Sequence, residues 1–198
     1  QNYINVFDGA TRFFRGKRMD GNWESPFNPL AGGRAYTEAT AWQYRFFVPH
    51  DVNGMIQLFG GKEEFVAALD DIFNTDAEIH GNLVDITGLI GQYVHGNEPS
   101  HHIAYLYNYV GEPWKTQKMS RRLLNEMYHP TPEGIIGNED CGQMSAWYIL
   151  SSMGLYSVCP GSNEYVLTTP LFEKVVVHLA NGSTLTILAN DPQKNIYI

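Results

Sequence analysis

Residues 62–73 read KEEFVAALDDIF, and the apolar side chains in this run recur with the spacing of one helix face. Phe65, Val66, Leu69 and Phe73 fall at positions that lie on the same side of an α-helix. This stretch therefore predicts an amphipathic α-helix that packs one face against a core.

Five further segments show helical patterns with start and stop signals at their ends. They cover residues 37–47, 51–59, 99–110, 113–128 and 140–153. Paired helices of this length suit a toroid built from helical hairpins. The predicted fold class is therefore mainly α, as part of an (α/α)6 toroid followed by a short β region.

The C-terminal tail changes to a strand pattern. β-Branched runs at 175–179 and 184–188 flank Asn181-Gly182, and an Asn-Gly pair is a strong signal for a hairpin turn. We predict a β hairpin there. The expected division is a partial (α/α)6 domain over residues 1–155 and a β-rich segment over residues 156–198 packed on it.

Composition and charge argue against several classes of function. The 198 residues carry a formal net charge of -8, which disfavours binding to nucleic acid or to an anionic membrane surface. No apolar run approaches the roughly 18 residues of a membrane-spanning helix. Cys141 and Cys159 are too few for a disulfide scaffold, and the predicted helix between them disfavours a bridge. No CxxC or HExxH pattern supports a zinc site.

Three polar clusters precede predicted helices. They are Tyr36-Thr37-Glu38, Gly96-Asn97-Glu98-Pro99-Ser100-His101-His102 and Gly137-Asn138-Glu139-Asp140-Cys141-Gly142-Gln143. Helix capping explains any single cluster, because Asp, Asn and Glu are common near a first turn. In a toroid of helical hairpins, however, alternate helix starts gather at one end. The clusters together therefore predict a polar site at a shared mouth.

Glycoside hydrolysis is one chemistry that these side chains can perform. It needs a protonated carboxyl group as acid and an ionised carboxylate as base or nucleophile. Glu38 stands among apolar and aromatic neighbours, which favours the protonated form, whereas Glu139 and Asp140 lie in a polar setting. Asn97, Glu98 and Asp140 are also hard oxygen ligands suited to calcium. Spacing alone leaves both a catalytic pair and a metal site open.

At these clusters the sequence resembles glycoside hydrolase family 92, the calcium-dependent exo-α-mannosidases. The resemblance spans nearly the whole chain and rests on long, specific strings. These are Phe13-Phe14-Arg15-Gly16-Lys17, Asp20-Gly21-Asn22-Trp23, residues 36–44 (YTEATAWQY), residues 48–51 (VPHD), residues 96–102 (GNEPSHH), Tyr105-Leu106-Tyr107, residues 137–148 (GNEDCGQMSAWY) and residues 159–162 (CPGS). The family usually has Gly after the motif glutamate, where this chain has Ala39.

The resemblance implies a larger protein with a defined activity. The family joins an N-terminal β-sandwich domain to an (α/α)6 catalytic domain, so this chain is expected to be a C-terminal catalytic-region fragment that is a poor catalyst alone. Members remove terminal mannose from glycans with inversion, and we expect a preference for α-1,2 linkages. The full-length protein is expected outside the cytoplasm, as a periplasmic, cell-surface or secreted enzyme.

The resemblance also implies a role for each matching residue. Glu38 matches the general acid, and Asp140 matches the base with Glu139 beside it. The implied calcium ligands are Asn97, Glu98 and Gln43, and the implied substrate contacts are Trp42, Glu98, His101 and His102. Core packing is the competing interpretation for Trp42, and structural hydrogen bonding is the competing interpretation for each histidine.

Two other functions stay open at this point. The aromatic residues and a calcium ion also suit a non-catalytic carbohydrate-binding module, although such modules are typically β-sandwiches and the helical run argues against one. A purely structural helical domain leaves Glu38, Glu98 and the Glu139-Asp140 pair without a joint purpose. The expected partners are therefore mannose-containing glycans and the N-terminal β-sandwich domain of the same protein.

Overall fold

A computed structural model of the chain describes residues 2–33, 35–80, 83 and 86–198. The chain divides into two compact units. The first comprises Gln1–Ile103 and Ile136–Asn138, and the second comprises Ala104–Ile135 and Glu139–Ile198. The expected boundary after residue 155 lies inside the second unit, and the domain division inferred from the sequence stays a prediction.

The first unit combines short helices with two small strand pairs. It begins with a 3₁₀ helix, Asn2–Val6, and the antiparallel strands β1 (Phe7–Asp8) and β2 (Phe13–Phe14). There follow α1 (Ala41–Tyr44), a 3₁₀ turn at Pro49–Asp51, α2 (Val52–Leu58) and α3 (Lys62–Asn74). The antiparallel strands β3 (Leu89–Ile90) and β4 (Tyr93–Val94) then lead to a 3₁₀ turn at Glu98–Ser100.

The amphipathic helix predicted from residues 62–73 is confirmed as α3. Phe65 on α3 has no exposed surface and packs edge-on against Phe46 and Phe59, with ring centroids 5.6 and 5.2 Å apart. Phe46 and Phe59 stack on each other at 5.6 Å. Burying a side chain of this size contributes about 1.5–3 kcal/mol, so these three rings are a main support of the first unit.

The second unit contains most of a 3₁₀ segment, Ile103–Val110, and the helices α4 (Pro113–Glu126) and α5 (Gln143–Ser152). Its strands form antiparallel pairs, β5 (Leu155–Tyr156) with β6 (Val166–Leu167) and β7 (Lys174–His178) with β8 (Thr184–Leu188). The core is aromatic: Trp147 stacks on Tyr128 at 5.8 Å, and Tyr105 stacks on Tyr156 at 4.1 Å.

The predicted hairpin is confirmed, with its first strand one residue earlier than expected. Val175 pairs with Ile187, and Val177 pairs with Leu185. The turn between the strands uses Gly182 at a φ of 83°, a conformation that glycine adopts without a steric penalty. The Asn-Gly signal therefore identified the turn correctly.

Three predicted helices differ from the structure. The segment 99–110 forms 3₁₀ turns instead of an α-helix; its residues 99–107 are all buried, so packing on every side decides its backbone. Helix α1 covers only Ala41–Tyr44 of the predicted 37–47, and it cannot start at Thr37 because Ala39 has a φ of 58°. Helix α5 starts at Gln143 because the residues 140–142 all have positive φ.

The mainly helical class is confirmed for the described residues, together with four separate two-stranded sheets. The arrangement of the helices as an (α/α)6 toroid stays a prediction. Among the helices that the structure describes, none combines the length and apolar character needed to cross a membrane.

Candidate active site

The predicted acid lies on a turn immediately before α1. Glu38 is half-buried, and the next residue, Ala39, is fully buried with a φ of 58°. This left-handed conformation costs an L-residue roughly 1–2 kcal/mol, so backbone strain lies directly after the carboxyl group. Thr40 then caps the helix, because its Oγ1 accepts a hydrogen bond from the Trp42 backbone N–H at 3.3 Å.

Asn97 contacts Glu38 directly. The Asn97 Nδ2 donates a hydrogen bond to Glu38 Oε2 at 3.2 Å, and Asn97 itself is only 1% exposed. Its Oδ1 is buried and accepts no hydrogen bond from any described residue. An unpaired buried oxygen costs about 1–3 kcal/mol, which marks this atom as a position for a ligand. The structure thus brings the first and second polar clusters together.

Two tyrosines lie beside the same turn. Tyr44 stacks on Tyr36 with ring centroids 5.6 Å apart. Burial, and in addition the Glu38 carboxylate, raise the pKa of Tyr44, while a hydrogen bond with the Glu38 backbone opposes the rise. Burial raises the pKa of Tyr36 to about 12. Both phenols therefore remain protonated at neutral pH, and the Tyr36 hydroxyl donates a hydrogen bond to the Phe14 carbonyl at 2.6 Å.

Trp42 is half-buried and packs partly against core residues. Its ring lies edge-on to Phe13 at 5.1 Å, and the Arg45 guanidinium lies 5.2 Å from the Trp42 ring centroid. The indole N–H is buried and finds no acceptor among the residues that the structure describes. These contacts support the core interpretation, and a sugar contact through the indole N–H stays a prediction.

His101 and His102 are both buried and both bind backbone carbonyls. The His101 Nε2 lies 2.8 Å from the His95 oxygen, and the His102 Nε2 lies 2.7 Å from the Phe46 oxygen. Burial lowers the pKa of His102 to about 4, so its ring is neutral at physiological pH. These bonds support a structural role for each histidine, and contact of either ring with substrate stays a prediction.

Gln43 completes the cap of α1. Its Oε1 accepts hydrogen bonds from the Thr40 backbone N–H at 2.7 Å and from the Thr40 hydroxyl at 2.9 Å, and its Nε2 donates to the Gln92 carbonyl. Only this orientation of the amide matches every donor with an acceptor. The oxygen predicted to bind calcium is therefore already engaged, and the geometry gives Gln43 a capping role that does not support metal ligation.

Glu139 and Asp140, in the second unit, have different surroundings. Glu139 caps α5: its Oε1 accepts from the Ser145 backbone N–H at 3.1 Å, and its Oε2 accepts from the Ser145 hydroxyl at 2.9 Å. The Asp140 carboxylate is exposed and forms no hydrogen bond or ion pair with a described residue. Asp140 and Cys141 have φ of 48° and 58°, so strain lies at this second carboxylate as well.

The third polar cluster begins with a backbone contact inside the first unit. A Cβ atom on Gly137 would lie 2.8 Å from the Cα of Gly96, and Gly137 has a φ of 76°. A Cβ atom on Gly96 would lie 2.2 Å from the Thr87 Oγ1. Neither position has room for a side chain, so the two glycines allow the second and third clusters to touch through their backbones.

Comparisons with known proteins identify the family. The family model for the glycosyl hydrolase family 92 catalytic domain matches residues 1–198. The chain belongs to glycosyl hydrolase family 92. It is 31% identical to an uncharacterised secreted glycosidase of Arthroderma benhamiae, over 96% of this chain and 24% of that protein.

Two solved family 92 structures from Bacteroides thetaiotaomicron resemble the chain closely. An α-mannosidase in complex with mannoimidazole is 40% identical with a TM-score of 0.88, over 96% of this chain and 26% of that one. An inverting mannosidase is 38% identical with a TM-score of 0.83, over 96% of this chain and 27% of that one. The chain therefore spans about a quarter of the length of these family 92 relatives.

The described part of the chain has no group of three or more His, Cys, Asp or Glu side chains that would hold a metal ion. The buried Asn97 Oδ1, which has no hydrogen-bond partner among the described residues, is an amide oxygen of the type that calcium accepts, and calcium binding stays a prediction. Glu98 follows in the chain and is half-buried. Both thiols, Cys141 and Cys159, are free, as the sequence predicted.

The structure adds two residues to the candidate site that the sequence analysis did not single out. Gln92 meets Gln43 across 49 positions of sequence, and no local pattern signals such a pair. Tyr44 stands inside the string that carries the family resemblance, but its contact with Glu38 depends on the unexpected turn at Ala39.

Proposed function

We propose that this chain supplies the acid and the base of an exo-acting α-mannosidase, which removes terminal mannose from glycans with inversion and prefers α-1,2 linkages. The contact between Glu38 and Asn97 carries the proposal: a carboxyl group on a strained turn is held at 3.2 Å by a buried amide whose own oxygen is unpaired. The mannosidase activity of the two similar family 92 proteins supports the reaction class.

Glu38 is the proposed general acid. Its Oε2 accepts a hydrogen bond from Asn97, so the acidic proton belongs on Oε1. As the bond between the mannose C1 and the glycosidic oxygen breaks, Oε1 donates this proton, and the departing group leaves as a neutral alcohol. Asn97 fixes the orientation of the carboxyl group, which keeps the proton directed at the bond to be cleaved.

Asp140 is the proposed general base. It takes a proton from a water molecule while the water oxygen forms a bond to C1 on the face opposite the leaving group, which inverts the configuration. Glu139 is less suited to this step because both of its oxygens bind Ser145 at the start of α5. The exposed Asp140 carboxylate has no such partner among the described residues and is available to a water molecule.

Asn97 and Glu98 are the proposed protein ligands of a calcium ion, with water completing the usual set of about six to eight oxygens. When bound, calcium would supply positive charge that stabilises the sugar oxygens and would favour distortion of the ring toward the transition state. The unpaired Asn97 Oδ1 supports this assignment. Gln43 is left out because its oxygen is engaged by Thr40.

The proposed substrate contacts are Trp42 and Glu98, with His101 and His102 as supporting residues. The Trp42 indole N–H is an unpaired donor, and Glu98 adds a carboxylate next to Asn97. His101 and His102 support the site through the backbone carbonyls that they hold. By analogy with the secreted relative, we propose that the whole protein works outside the cytoplasm.

The activity is tested with the full-length protein and an aryl α-mannoside, with the released sugar observed by proton NMR. We expect β-mannose as the first product. First release of α-mannose would contradict inversion. Mannose binding without turnover would favour a carbohydrate-binding module, an alternative that the helix-rich fold disfavours.

The calcium proposal has a separate test. Treatment with a strong chelator should abolish most of the activity, and added calcium should restore it. Asn97→Ala should weaken calcium binding, which raises the calcium concentration needed for half-maximal activity. Full activity after exhaustive chelation would contradict the proposed ion.

A further inference from the structure

We infer that Gln43 is a positioning residue that holds Glu38 against Asn97, and that it acts through the buried side chain and backbone of Gln92. The inference rests on the proposed function of Glu38 as the acid. Gln43 has no exposed surface and Gln92 is 1% exposed, so neither side chain is available to substrate. Their effect on the reaction must therefore pass through the groups that they bind.

The contacts of Gln43 all lie at the start of α1. Its Oε1 holds both the backbone N–H and the hydroxyl of Thr40, two residues after Glu38. Ala39, between them, is in the left-handed conformation, with a φ of 58°. A strained residue keeps its conformation only when its neighbours are fixed. The bonds from Gln43 to Thr40 fix one side of this turn.

The contacts of Gln92 connect Gln43 to the segment that carries Asn97. The Gln92 carbonyl accepts a hydrogen bond from Gln43 Nε2, and its backbone N–H donates to the Ile72 carbonyl at 2.7 Å. Its side-chain Nε2 donates to the carbonyls of Thr75 and Ala77, just beyond α3, at 3.2 and 2.9 Å. Gln92 immediately precedes β4, the strand that leads to Asn97.

The segment from Glu38 to Gln43 and the segment from Gln92 to Asn97 are therefore joined by two hydrogen bonds. One is the buried bond between Gln43 and Gln92, and the other is the 3.2 Å bond between Glu38 and Asn97. Glu38 is half-buried, so water competes for the second bond, whereas the first is shielded from water. The buried bond sets the spacing of the segments, and that spacing places the acid.

The test is Gln43→Met in the full-length enzyme, because methionine matches glutamine in length but forms no strong hydrogen bonds. We compare methyl α-mannoside, whose leaving group needs a proton, with 2,4-dinitrophenyl α-mannoside, whose leaving group does not. Misplacing the acid should lower kcat for the methyl glycoside by roughly 10–100-fold and for the dinitrophenyl glycoside by less than about threefold. KM should change little for either substrate.

Gln117→Met is the matched control. Gln117 is 2% exposed in the second unit, where its Oε1 accepts a hydrogen bond from the Ile198 N–H at 3.2 Å. This variant should lower the melting temperature while leaving the ratio of the two kcat values unchanged. An equal fall of kcat on both substrates for Gln43→Met, or no fall on either, would overturn the inference.

A milder pair of variants decides the matter if Gln43→Met does not fold. Thr40→Val removes the hydroxyl that Gln43 and Trp42 share, and Thr40→Ser restores it. We expect the selective loss on the methyl glycoside in Thr40→Val and its recovery in Thr40→Ser; identical kinetics for the two would contradict the inference. If Glu38→Gln does not lower kcat more for the methyl glycoside than for the dinitrophenyl glycoside, the assignment of Glu38 as the acid is wrong. If Glu38→Gln shows this difference and the Gln43 and Thr40 variants do not, only the positioning role of Gln43 is wrong.

Discussion

Ala39 provides the most direct residue-scale test of the turn that carries the acid. It combines a φ of 58° with a complete lack of exposed surface. Ala39→Val should lower the free energy of unfolding by more than about 2 kcal/mol, because a β-branched side chain is disfavoured at positive φ and overpacks the site. Ala67→Val, at an exposed position of α3, is the control and should cost less than about 1 kcal/mol. Equal losses in urea unfolding would contradict the strained turn.

The neighbouring carboxylates Glu139 and Asp140 should respond differently to neutralisation. Asp140→Asn should lower kcat by roughly 10²–10⁴-fold, because it removes the proposed base. Glu139→Gln should lower kcat by less than about tenfold and reduce stability by about 1 kcal/mol, because it weakens the cap of α5. Steady-state kinetics and thermal unfolding of both variants check this. The reverse order of effects would exchange the two roles.

Residue types in the sequence predicted the candidate chemistry, but they did not predict which groups each site residue contacts. Glu38 and Asp140 stand out in the sequence because each lies in a polar cluster near a helix start. The same pattern could not separate a capping carboxylate from a free one, and Glu139 and Asp140 differ only in what they contact. Gln43 has a calcium-type oxygen in the sequence, yet the fold engages that oxygen at Thr40.

At the element scale, His102 links the buried segment after β4 to the end of α1. Its Nε2 donates to the Phe46 carbonyl at 2.7 Å, and its pKa in the folded state is about 4. The ordinary value is about 6.5, so between these pH values the unfolded chain binds a proton that the folded chain does not. The free energy of unfolding should therefore fall as the pH decreases through this range, by about 1.4 kcal/mol per pH unit for this ring.

His102→Gln isolates that contribution, because the glutamine amide retains a donor for the Phe46 carbonyl and does not titrate. Urea unfolding at several pH values between about 6.5 and 4 should give a shallower dependence for the variant than for the wild type, by about one proton. Equal slopes would show that His102 is not buried in its neutral form.

The backbone contact between Gly137 and Gly96 has a matched control elsewhere in the chain. Gly137 and Gly111 have similar positive φ of 76° and 86°, but a Cβ atom on Gly111 would meet no atom within 4 Å. Both alanine variants therefore carry the conformational penalty of about 1–2 kcal/mol. Gly137→Ala should also lose roughly 1–3 kcal/mol from the clash. Equal stability of the two variants in urea would contradict the close contact.

Sequence patterns predicted the elements whose signals are local. The periodic apolar face of 62–73 and the Asn181-Gly182 turn gave α3 and the hairpin nearly residue by residue. The prediction of an α-helix over 99–110 was wrong. Residues 99–107 are all buried, so the packing around them decides between an α-helix and 3₁₀ turns, and no local sequence pattern encodes that packing. The starts of α1 and α5 were wrong because non-glycine residues adopt positive φ there.

At the scale of the whole molecule, the family and the mainly helical class followed from sequence strings distributed over most of the chain. The family model and the two similar mannosidase structures agree with that assignment. The contact between Glu38 and Asn97 joins residues 59 positions apart, and only the folded chain reveals it. The account therefore depends on one central claim, that Glu38 gives its proton to the departing group.

Brønsted analysis of Glu38→Gln tests that claim most directly. kcat for the full-length enzyme and for the variant is measured on α-mannosides whose leaving groups span a wide range of pKa. We predict that the variant loses roughly 10²–10⁴-fold on alkyl mannosides and far less on dinitrophenyl mannoside, because only the poor leaving groups need a proton. A loss of the same size for every leaving group would contradict the assignment of Glu38 as the general acid.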